Sequence, residues 1–259
     1  AFLAAMTYGL VPVPILHEFK SDNIYNLVNH SGARVFFVGD VIWEGLSQSE
    51  MPGLECIVLL NDFSLLYNRN EKVEYVYSHL NEYFGRRYPK DFTPDNICYW
   101  EDGLDDLALI NYTSGTSGFS KGVMLSYESL RSNVLFAEQY HGYFSNKHNM
   151  VSMLPTAHMY GLMFEFLYQM TKGAHVHFLT RIPSPKIIQE AMCEVKPSLI
   201  IAVPLVIEKI YKKSIEPIIS RRDMKMLLHV PFLDQYLRER IKKSVEDALG
   251  GSFNEIIIG

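Results

Sequence analysis

A glycine-rich stretch in the middle of the chain carries the residue types best suited to chemistry. Residues 112–122 read YTSGTSGFSKG. Glycine tolerates positive φ angles and leaves room for close approach, so a loop of this composition lets backbone N–H groups converge on an anion. Hydroxyl groups and a lysine ammonium add donors that suit phosphate oxygens. The candidate phosphate-binding residues are Thr113, Ser114, Gly115, Thr116, Ser117, Gly118 and Lys121.

The same composition has a second interpretation. Clusters of Gly, Ser and Thr between periodic segments are equally typical of plain surface loops. The spacing also departs from the Walker pattern G-x-x-x-x-G-K-[ST], because Gly118 lies three residues before Lys121 and Gly122 follows the lysine. The residues alone therefore disfavour a P-loop NTPase and leave a polyphosphate-binding loop or a structural loop.

The stretch is similar to the signature loop of the adenylate-forming superfamily, which includes acyl-CoA synthetases, luciferases and adenylation domains of peptide synthetases. That loop commonly reads Y-T-S-G-T-T-G-x-P-K-G-V. Ser117 replaces the second threonine of the pattern and keeps its hydroxyl, and Ser120 stands where proline is usual. The matching residues are Tyr112, Thr113, Ser114, Gly115, Thr116, Gly118, Lys121, Gly122 and Val123.

Other segments resemble the same family, and they occur in the family's order. Residues 8–14 (YGLVPVP) resemble its G-x-V-x-V-P segment, and residues 30–34 (HSGAR) resemble its helix-to-strand step. Residues 154–161 (LPTAHMYG) resemble its L-P-x-x-H-x-x-G motif. The stretch 196–211 looks like the corresponding part of long-chain fatty-acid CoA ligases. The resemblance thus implies a long-chain fatty-acid CoA ligase.

The resemblance implies a reaction in two steps. A fatty-acid carboxylate attacks the α-phosphate of ATP, pyrophosphate leaves, and the thiol of CoA then attacks the acyl-adenylate. The first step brings two anions together, so it needs positive potential, aligned donors and Mg²⁺ rather than a nucleophilic side chain. In the resembled family the histidine of L-P-x-x-H lies beside the carboxylate and the α-phosphate, which implies a catalytic, substrate-positioning role for His158.

Each of these side chains also has an ordinary structural interpretation. His158 could be a histidine that is hydrogen-bonded within a strand-to-helix turn. Tyr160 and Phe164 could line an acyl pocket or belong to the core. The apolar run 159–170 could line a tunnel for a long chain, but Met and Phe at helical spacing are more often core residues.

The resemblance also implies that these residues form an internal piece of the family's large N-terminal domain. Its adenine-binding and magnesium-binding motif, its hinge, and the C-terminal domain with the catalytic lysine would lie beyond Gly259. We therefore expect no metal ligands within these residues and little or no activity from them alone. Peripheral membrane contact of the full-length protein stays open.

Composition limits the classes of function. The 259 residues are 48% hydrophobic and 20% charged, which is typical of a globular protein. A net charge of −5 argues against a nucleic-acid-binding surface. Cys56, Cys98 and Cys193 are widely spaced, which favours neither a disulfide framework nor a zinc site and predicts a reducing, cytoplasmic location. The run 159–170 is shorter than the roughly 20 residues that a membrane-spanning helix needs, and nothing resembles a signal peptide.

The order of helical and apolar segments predicts the α/β class, with two mainly parallel sheets flanked by helices. We predict a first α/β lobe over residues 1–105 and a second over 106–259, the second carrying the phosphate-binding loop. In the first, a helix capped by Asp22 or Ser21 should end at Gly32, and another should cover about 73–84. Strands over 34–38 and 55–60, with a short helix between them, should form a β-α-β unit.

The second lobe should contain helices after Ser126 and over about 162–170 and 185–194. Its strands should cover 107–112, 123–125, 174–179 and 198–203. Leu130, Val134, Ala137 and His141 should share the buried face of the helix that Ser126 caps.

Rival functions remain open at the level of sequence. Within the enzyme class, the substrate could be an amino or aryl acid. A non-catalytic nucleotide-binding module would keep the glycine-rich loop without an acyl pocket, and a purely structural α/β protein would have no ATP site. Binding of ATP, and its dependence on fatty acid, separates these possibilities.

Overall fold

The computed structural model describes residues 1–101, 103–113, 120–179, 183–214, 216–219 and 233–259. Its internal contacts form two compact units, Ala1–Ser129 and Leu130–Gly259. The boundary between two α/β lobes that the sequence analysis places near residue 105 stays a prediction.

The first unit contains two sheets. Its helices are α1 (Phe2–Thr7), α2 (Ser21–Ser31), α3 (Asp40–Trp43), α4 (Glu71–Ser78) and α5 (Leu80–Arg87), with 3₁₀ turns at Gln48–Glu50 and Pro94–Asn96. Its strands are β1 (Val35–Val38), β2 (Cys56–Leu59), β3 (Leu65–Asn68), β4 (Leu107–Thr113) and β5 (Lys121–Ser126). Strands β1 and β2 pair in parallel, as the predicted β-α-β order requires, whereas β3 pairs antiparallel with β2 and was not predicted.

Helix α2 packs its apolar face on the three-stranded sheet. Ile24, Leu27 and Val28 are buried, and Ile24 and Val28 pack in one apolar cluster with Val38 and Ile57 of that sheet. The helix ends at Gly32 in the left-handed conformation, as predicted. The predicted cap was wrong: the N-cap is Lys20 without a side-chain bond, because the Ser21 hydroxyl donates instead to the carbonyl of Gly45 at 2.8 Å.

The helix predicted over 73–84 is two helices. Helix α4 is capped by Asn70, whose side chain accepts from the Lys72 N–H, and it stops at Ser78. His79 leaves helical geometry with φ −108° and starts α5. No residue of α4 or α5 is buried, so core packing does not impose a single continuous axis on this segment.

The second unit is a parallel sheet with helices on both faces. Its strands are β6 (Asn149–Ser152), β7 (His175–Phe178), β8 (Leu199–Ala202) and β9 (Glu255–Ile258), in the order β7-β6-β8-β9. Its helices are α6 (Tyr127–His141, which begins in the first unit), a π-helix (Gly161–Leu167), α7 (Tyr168–Lys172), α8 (Pro185–Val195), α9 (Pro204–Ser214), α10 (Glu216–Ile219) and α11 (Leu233–Ala248). All its strand pairs are parallel, which confirms the α/β prediction.

Alternate strand residues enter two separate cores. Met150, Leu199 and Ile201 pack in one apolar cluster with Tyr168. Val151 and Ile200 pack in the other, together with helix residues of α8 and α9. Such alternation means that both faces of the sheet are covered, which is typical of a parallel sheet.

Helix α6 forms as predicted. The Ser126 hydroxyl accepts from the backbone N–H of Ser129 at 3.2 Å, which is an N-cap bond. Leu130, Ala137 and His141 are buried on one face. Within the described residues, the helices fall short of the length and apolar character that crossing a membrane requires.

Candidate functional site

A β-hairpin holds together the two ends of the glycine-rich loop. Strands β4 and β5 are antiparallel, with Tyr112 opposite Gly122 and Thr113 opposite Lys121. The predicted β5 covered only 123–125, and pairing with β4 extends it to the lysine. The predicted loop residues Ser114, Gly115, Thr116, Ser117 and Gly118 lie outside the described residues.

Thr113 and Lys121 are brought together at the loop end of this hairpin. Residues directly opposite each other in an antiparallel pair project from the same face, so the Thr113 hydroxyl and the Lys121 ammonium lie on one side. Both residues are exposed. Lys121 makes no ion pair with the residues that the structure describes, so none of them neutralises its charge.

Tyr112 connects the base of the loop to helix α2. Its hydroxyl and Nδ1 of His30 share a hydrogen bond of 2.7 Å, and the two rings meet edge to face at 77°. Burial raises the pKa of the Tyr112 hydroxyl, so it stays protonated at neutral pH. Helix α2 therefore fixes the strand that leads into the loop.

The absence of a side chain at Gly122 leaves space for the Tyr112 ring on the hairpin. A Cβ at Gly122 would lie 3.2 Å from Cζ of Tyr112 and 3.1 Å from Cγ2 of Ile110. That distance is below ordinary van der Waals contact, so the neighbouring side chains would have to move. The glycine that follows the lysine in the motif thus serves packing at the base of the loop.

Another motif segment contacts the same strand. The N–H of Ile110 donates to the carbonyl of Pro12 at 3.1 Å, which places residues 8–14 beside β4. Three segments that are far apart in sequence, namely 8–14, 30–34 and 112–122, therefore meet within the first unit. Local periodicity does not report such contacts.

His158 lies in the second unit, in the turn that follows β6. Its N–H donates to the carbonyl of Pro155 at 2.9 Å, and its carbonyl accepts from the N–H of Leu162 at 2.9 Å. The N–H of Tyr160 donates to Nδ1 of His158 at 3.4 Å. A neutral ring that accepts at Nδ1 carries its proton on Nε2, and the residue is exposed. The side chain is thus held within the turn, while Nε2–H is a donor for a carboxylate or phosphate oxygen.

Gly161 makes this tight turn possible. A Cβ at Gly161 would lie 2.7 Å from the carbonyl oxygen of Pro155 and 3.1 Å from Cβ of Leu154. Contacts this short with backbone atoms are not relieved by rotating a side chain. The last residue of the L-P-x-x-H-x-x-G motif therefore has to be glycine for the chain to close behind His158.

Glu165 is a buried carboxyl in the middle of the apolar run 159–170. The whole Glu165 residue is 0% exposed. Oε2 accepts from the Ser152 hydroxyl at 3.0 Å and from the N–H groups of Met153 and Leu154 at 3.1 and 2.9 Å. Burial raises the pKa of Glu165 to about 7, against the opposing effect of these three hydrogen bonds. A charged residue at the centre of the run 159–170 was the signal that could have identified it.

Tyr160 and Phe164 pack in the core of the second unit. Their ring centroids are 5.3 Å apart, and both contact the cluster that contains Tyr168. Burial raises the pKa of Tyr160, whose hydroxyl is buried without a hydrogen-bond partner among the described residues. A role for either ring in an acyl pocket stays a prediction.

Metal ligands do not cluster in the part of the chain that the structure describes. A group of three or more His, Cys, Asp or Glu side chains that could hold a metal ion is absent from those residues. We therefore assign no Mg²⁺ ligand.

Residues 1–258 match the model of the AMP-binding enzyme family, and the chain belongs to that family. This match confirms the resemblance to adenylate-forming enzymes. Among curated relatives, it is 27% identical over 222 residues to rat long-chain-fatty-acid–CoA ligase 5, covering 82% of this chain and 31% of the relative. It is 28% identical over 241 residues to long chain acyl-CoA synthetase 1 of Arabidopsis thaliana, covering 86% and 34%. The chain thus spans about a third of these relatives' length.

Solved structures agree on the fold. A red-emitting luciferase from Phrixothrix hirtus matches with a TM-score of 0.69 and 19% identity, over 100% of this chain and 42% of the luciferase. A long-chain-fatty-acid-CoA ligase from Archaeoglobus fulgidus matches with a TM-score of 0.59 and 22% identity, over 79% and 37%. At this identity the likeness shows the fold, which is the predicted fold of adenylate-forming enzymes.

Proposed function

We propose that the full-length protein is an acid–thiol ligase that activates a long-chain fatty acid with ATP and transfers the acyl group to CoA. The observation that carries this proposal is the hairpin in which Thr113 and Lys121 face each other where the glycine-rich loop begins and ends. Membership of the AMP-binding family over residues 1–258 and the names of the curated relatives support the reaction class and the substrate.

In the first step, a carboxylate oxygen of the fatty acid forms a bond to the α-phosphorus of ATP. The bond from that phosphorus to the bridging oxygen breaks, and pyrophosphate leaves with the electron pair. Donors of the loop, with Lys121 and the Thr113 hydroxyl, would hold the phosphate oxygens and stabilise the charge that develops on them. Mg²⁺ bound with ATP supplies further charge neutralisation.

In the second step, the sulfur of CoA attacks the acyl carbon, and AMP leaves while the thiol proton passes to solvent or to the departing phosphate. His158 fits a positioning role in the first step, because its exposed Nε2–H can donate to the carboxylate or to the α-phosphate. Neither step requires a nucleophilic side chain, in keeping with the residue types of both motifs.

Two alternative functions and the location of the protein also belong to this proposal. An amino or aryl acid could replace the fatty acid, a nucleotide-binding module could retain ATP without catalysis, and the location of the protein is proposed to be cytoplasmic. We also expect residues 1–259 alone to be inactive, because in this family further motifs follow this region.

Formation of acyl-CoA by the full-length protein tests the proposal. A panel of long-chain fatty, aryl and amino acids is offered with ATP, Mg²⁺ and CoA, and AMP release and thioester are measured together. We expect both products with long-chain acids. Products with aryl or amino acids alone would reassign the substrate, and ATP binding without either product would favour the non-catalytic module.

A further inference from the structure

Glu165 joins the beginning of the His158 turn to the helix at its end. Oε2 binds the last residue of β6 and the next two residues, Ser152, Met153 and Leu154. Glu165 itself lies in the π-helix Gly161–Leu167, which starts as soon as the turn is complete. We propose that Glu165 is a positioning residue for the adenylation step, because it holds the turn that presents His158.

The hydrogen bonds around the turn form a closed path. From Leu154 the chain passes through Pro155, whose carbonyl accepts from the N–H of His158 at 2.9 Å. The carbonyl of His158 accepts from the N–H of Leu162 at 2.9 Å, and Leu162 is the second residue of the helix that carries Glu165. Every segment that flanks His158 is thus bonded either to the next one or to the carboxyl group. Loss of the carboxyl would free the strand side of the turn, because proline at 155 has no N–H to contribute.

Burying a carboxyl group at position 165 costs free energy of desolvation, so its presence there indicates that its hydrogen bonds are needed. Among the described residues no lysine or arginine pairs with Glu165, and Oε1 is buried without a hydrogen-bond partner. An apolar side chain such as leucine would fill a helix core without this desolvation cost. What leucine lacks is an acceptor for the Met153 and Leu154 N–H groups, which would then be left unsatisfied.

The anchor does not depend on the charge. A protonated carboxyl keeps a carbonyl oxygen that accepts hydrogen bonds, and so does the amide of glutamine. Glu165→Gln should therefore preserve the turn, whereas Glu165→Leu should preserve packing and lose the anchor. This pair of variants separates hydrogen bonding from volume.

The inference rests on the proposed function for the role of His158, and the test uses the full-length protein with a long-chain fatty acid. We expect Glu165→Leu to lower kcat about 10- to 100-fold, because a small displacement of a positioning group can cost about 100-fold in rate. The KM for ATP should change less than about 3-fold, since the phosphate loop is not altered, and Glu165→Gln should stay within about 3-fold of wild type in kcat.

Hydrogen–deuterium exchange gives a readout that does not need activity. The amides of Met153 and Leu154 should exchange faster in Glu165→Leu than in wild type or in Glu165→Gln. Gln169→Leu is the matched control, because Gln169 is also 0% exposed but its Nε2 donates to the carbonyl of Phe164 and not to the turn. This control should leave the exchange of the two amides as it is in wild type.

The results of these experiments test the role of Glu165 and the proposed function separately. An active wild type with a folded Glu165→Leu variant of normal kcat, or with unchanged exchange at both amides, overturns the inference. Should Glu165→Leu fail to fold, Glu165→Asp replaces it, because the shorter side chain draws the acceptor away; normal kcat in that variant also overturns the inference. An inactive wild type would refute the proposed function instead, and the amide exchange would still decide whether Glu165 anchors the turn.

Discussion

Nδ1 of His30 lies 2.7 Å from the hydroxyl of Tyr112, although the two residues are 82 positions apart in the chain. His30 is in the last turn of α2, and Tyr112 is one residue before the end of β4, where the glycine-rich loop begins. The helix-to-strand segment of the first unit is thereby bonded to the strand that supports the loop.

Removing this bond should loosen the base of the loop. We expect Tyr112→Phe to lower the free energy of unfolding by about 1 kcal/mol, the usual net value of one such hydrogen bond, and to raise the KM for ATP a few-fold in the full-length protein. Denaturant titration and initial rates measure the two effects. His17→Ala, at an exposed residue of the same unit, is the control. Wild-type stability and KM in Tyr112→Phe would show that the contact does not support the loop.

The close approach at Gly161 predicts a steric effect. Gly161→Ala would place a methyl group only 2.7 Å from the carbonyl oxygen of Pro155, which is too close for van der Waals contact. Overpacking of this kind typically costs about 1–3 kcal/mol, so the free energy of unfolding should fall by that amount.

Gly85→Ala is the matched control for Gly161→Ala. A Cβ at Gly85 meets no described atom within 4 Å, and the residue lies inside helix α5. Alanine is the better helix former by about 1 kcal/mol, so this variant should be as stable as wild type or more stable. Equal stability of the two alanine variants in chemical denaturation would contradict the steric account.

Ionisation of Glu165 should make stability depend on pH. Its pKa is about 7 in the folded chain, above the ordinary value of 4.5, so the folded state binds a proton more tightly than the unfolded state. Stability therefore falls as pH rises from about 4.5 to 7 and is level above that range, with a total change of roughly 3 kcal/mol. Tyr160 is the titratable neighbour whose pKa Glu165 affects, and it is raised, so it does not ionise in this window.

Glu165→Gln should abolish this dependence. Denaturant titrations at pH 5 and pH 8 should show the variant close to wild type at the lower pH and more stable than wild type at the higher one. If the difference in stability between wild type and Glu165→Gln is the same at pH 5 and pH 8, Glu165 does not ionise in the folded chain in this range.

Much of the fold follows from local patterns in the sequence. The apolar runs that became β1, β2, β4 and β8 were predicted, as were the Gly32 stop and the Ser126 cap, because each depends on neighbouring residues. Strand β6 was missed, since NMVS is short and begins with a polar residue. The division of 73–84 at His79 was missed because periodicity alone does not show that neither half is held by a core.

The candidate site was likewise predicted only in part from the sequence. Loop composition and the family resemblance predicted Thr113, Lys121 and His158 as site residues, and pairing in the hairpin brings the first two together. Glu165 and the His30 contact with Tyr112 depend on hydrogen bonds between residues that are distant in sequence or in different elements, which composition and periodicity do not encode. Glu165 was visible only as a charge in an apolar run.

The most direct measurement of the central claim is fatty-acid-dependent exchange of pyrophosphate into ATP by the full-length protein, compared between wild type and Lys121→Ala. Lys147→Ala, at another exposed lysine, is the control. The account predicts exchange in wild type and in the control, and a loss of about 100-fold in Lys121→Ala, the usual effect of removing one transition-state donor. Exchange that is absent from wild type with every long-chain acid, or unchanged in Lys121→Ala, would contradict it.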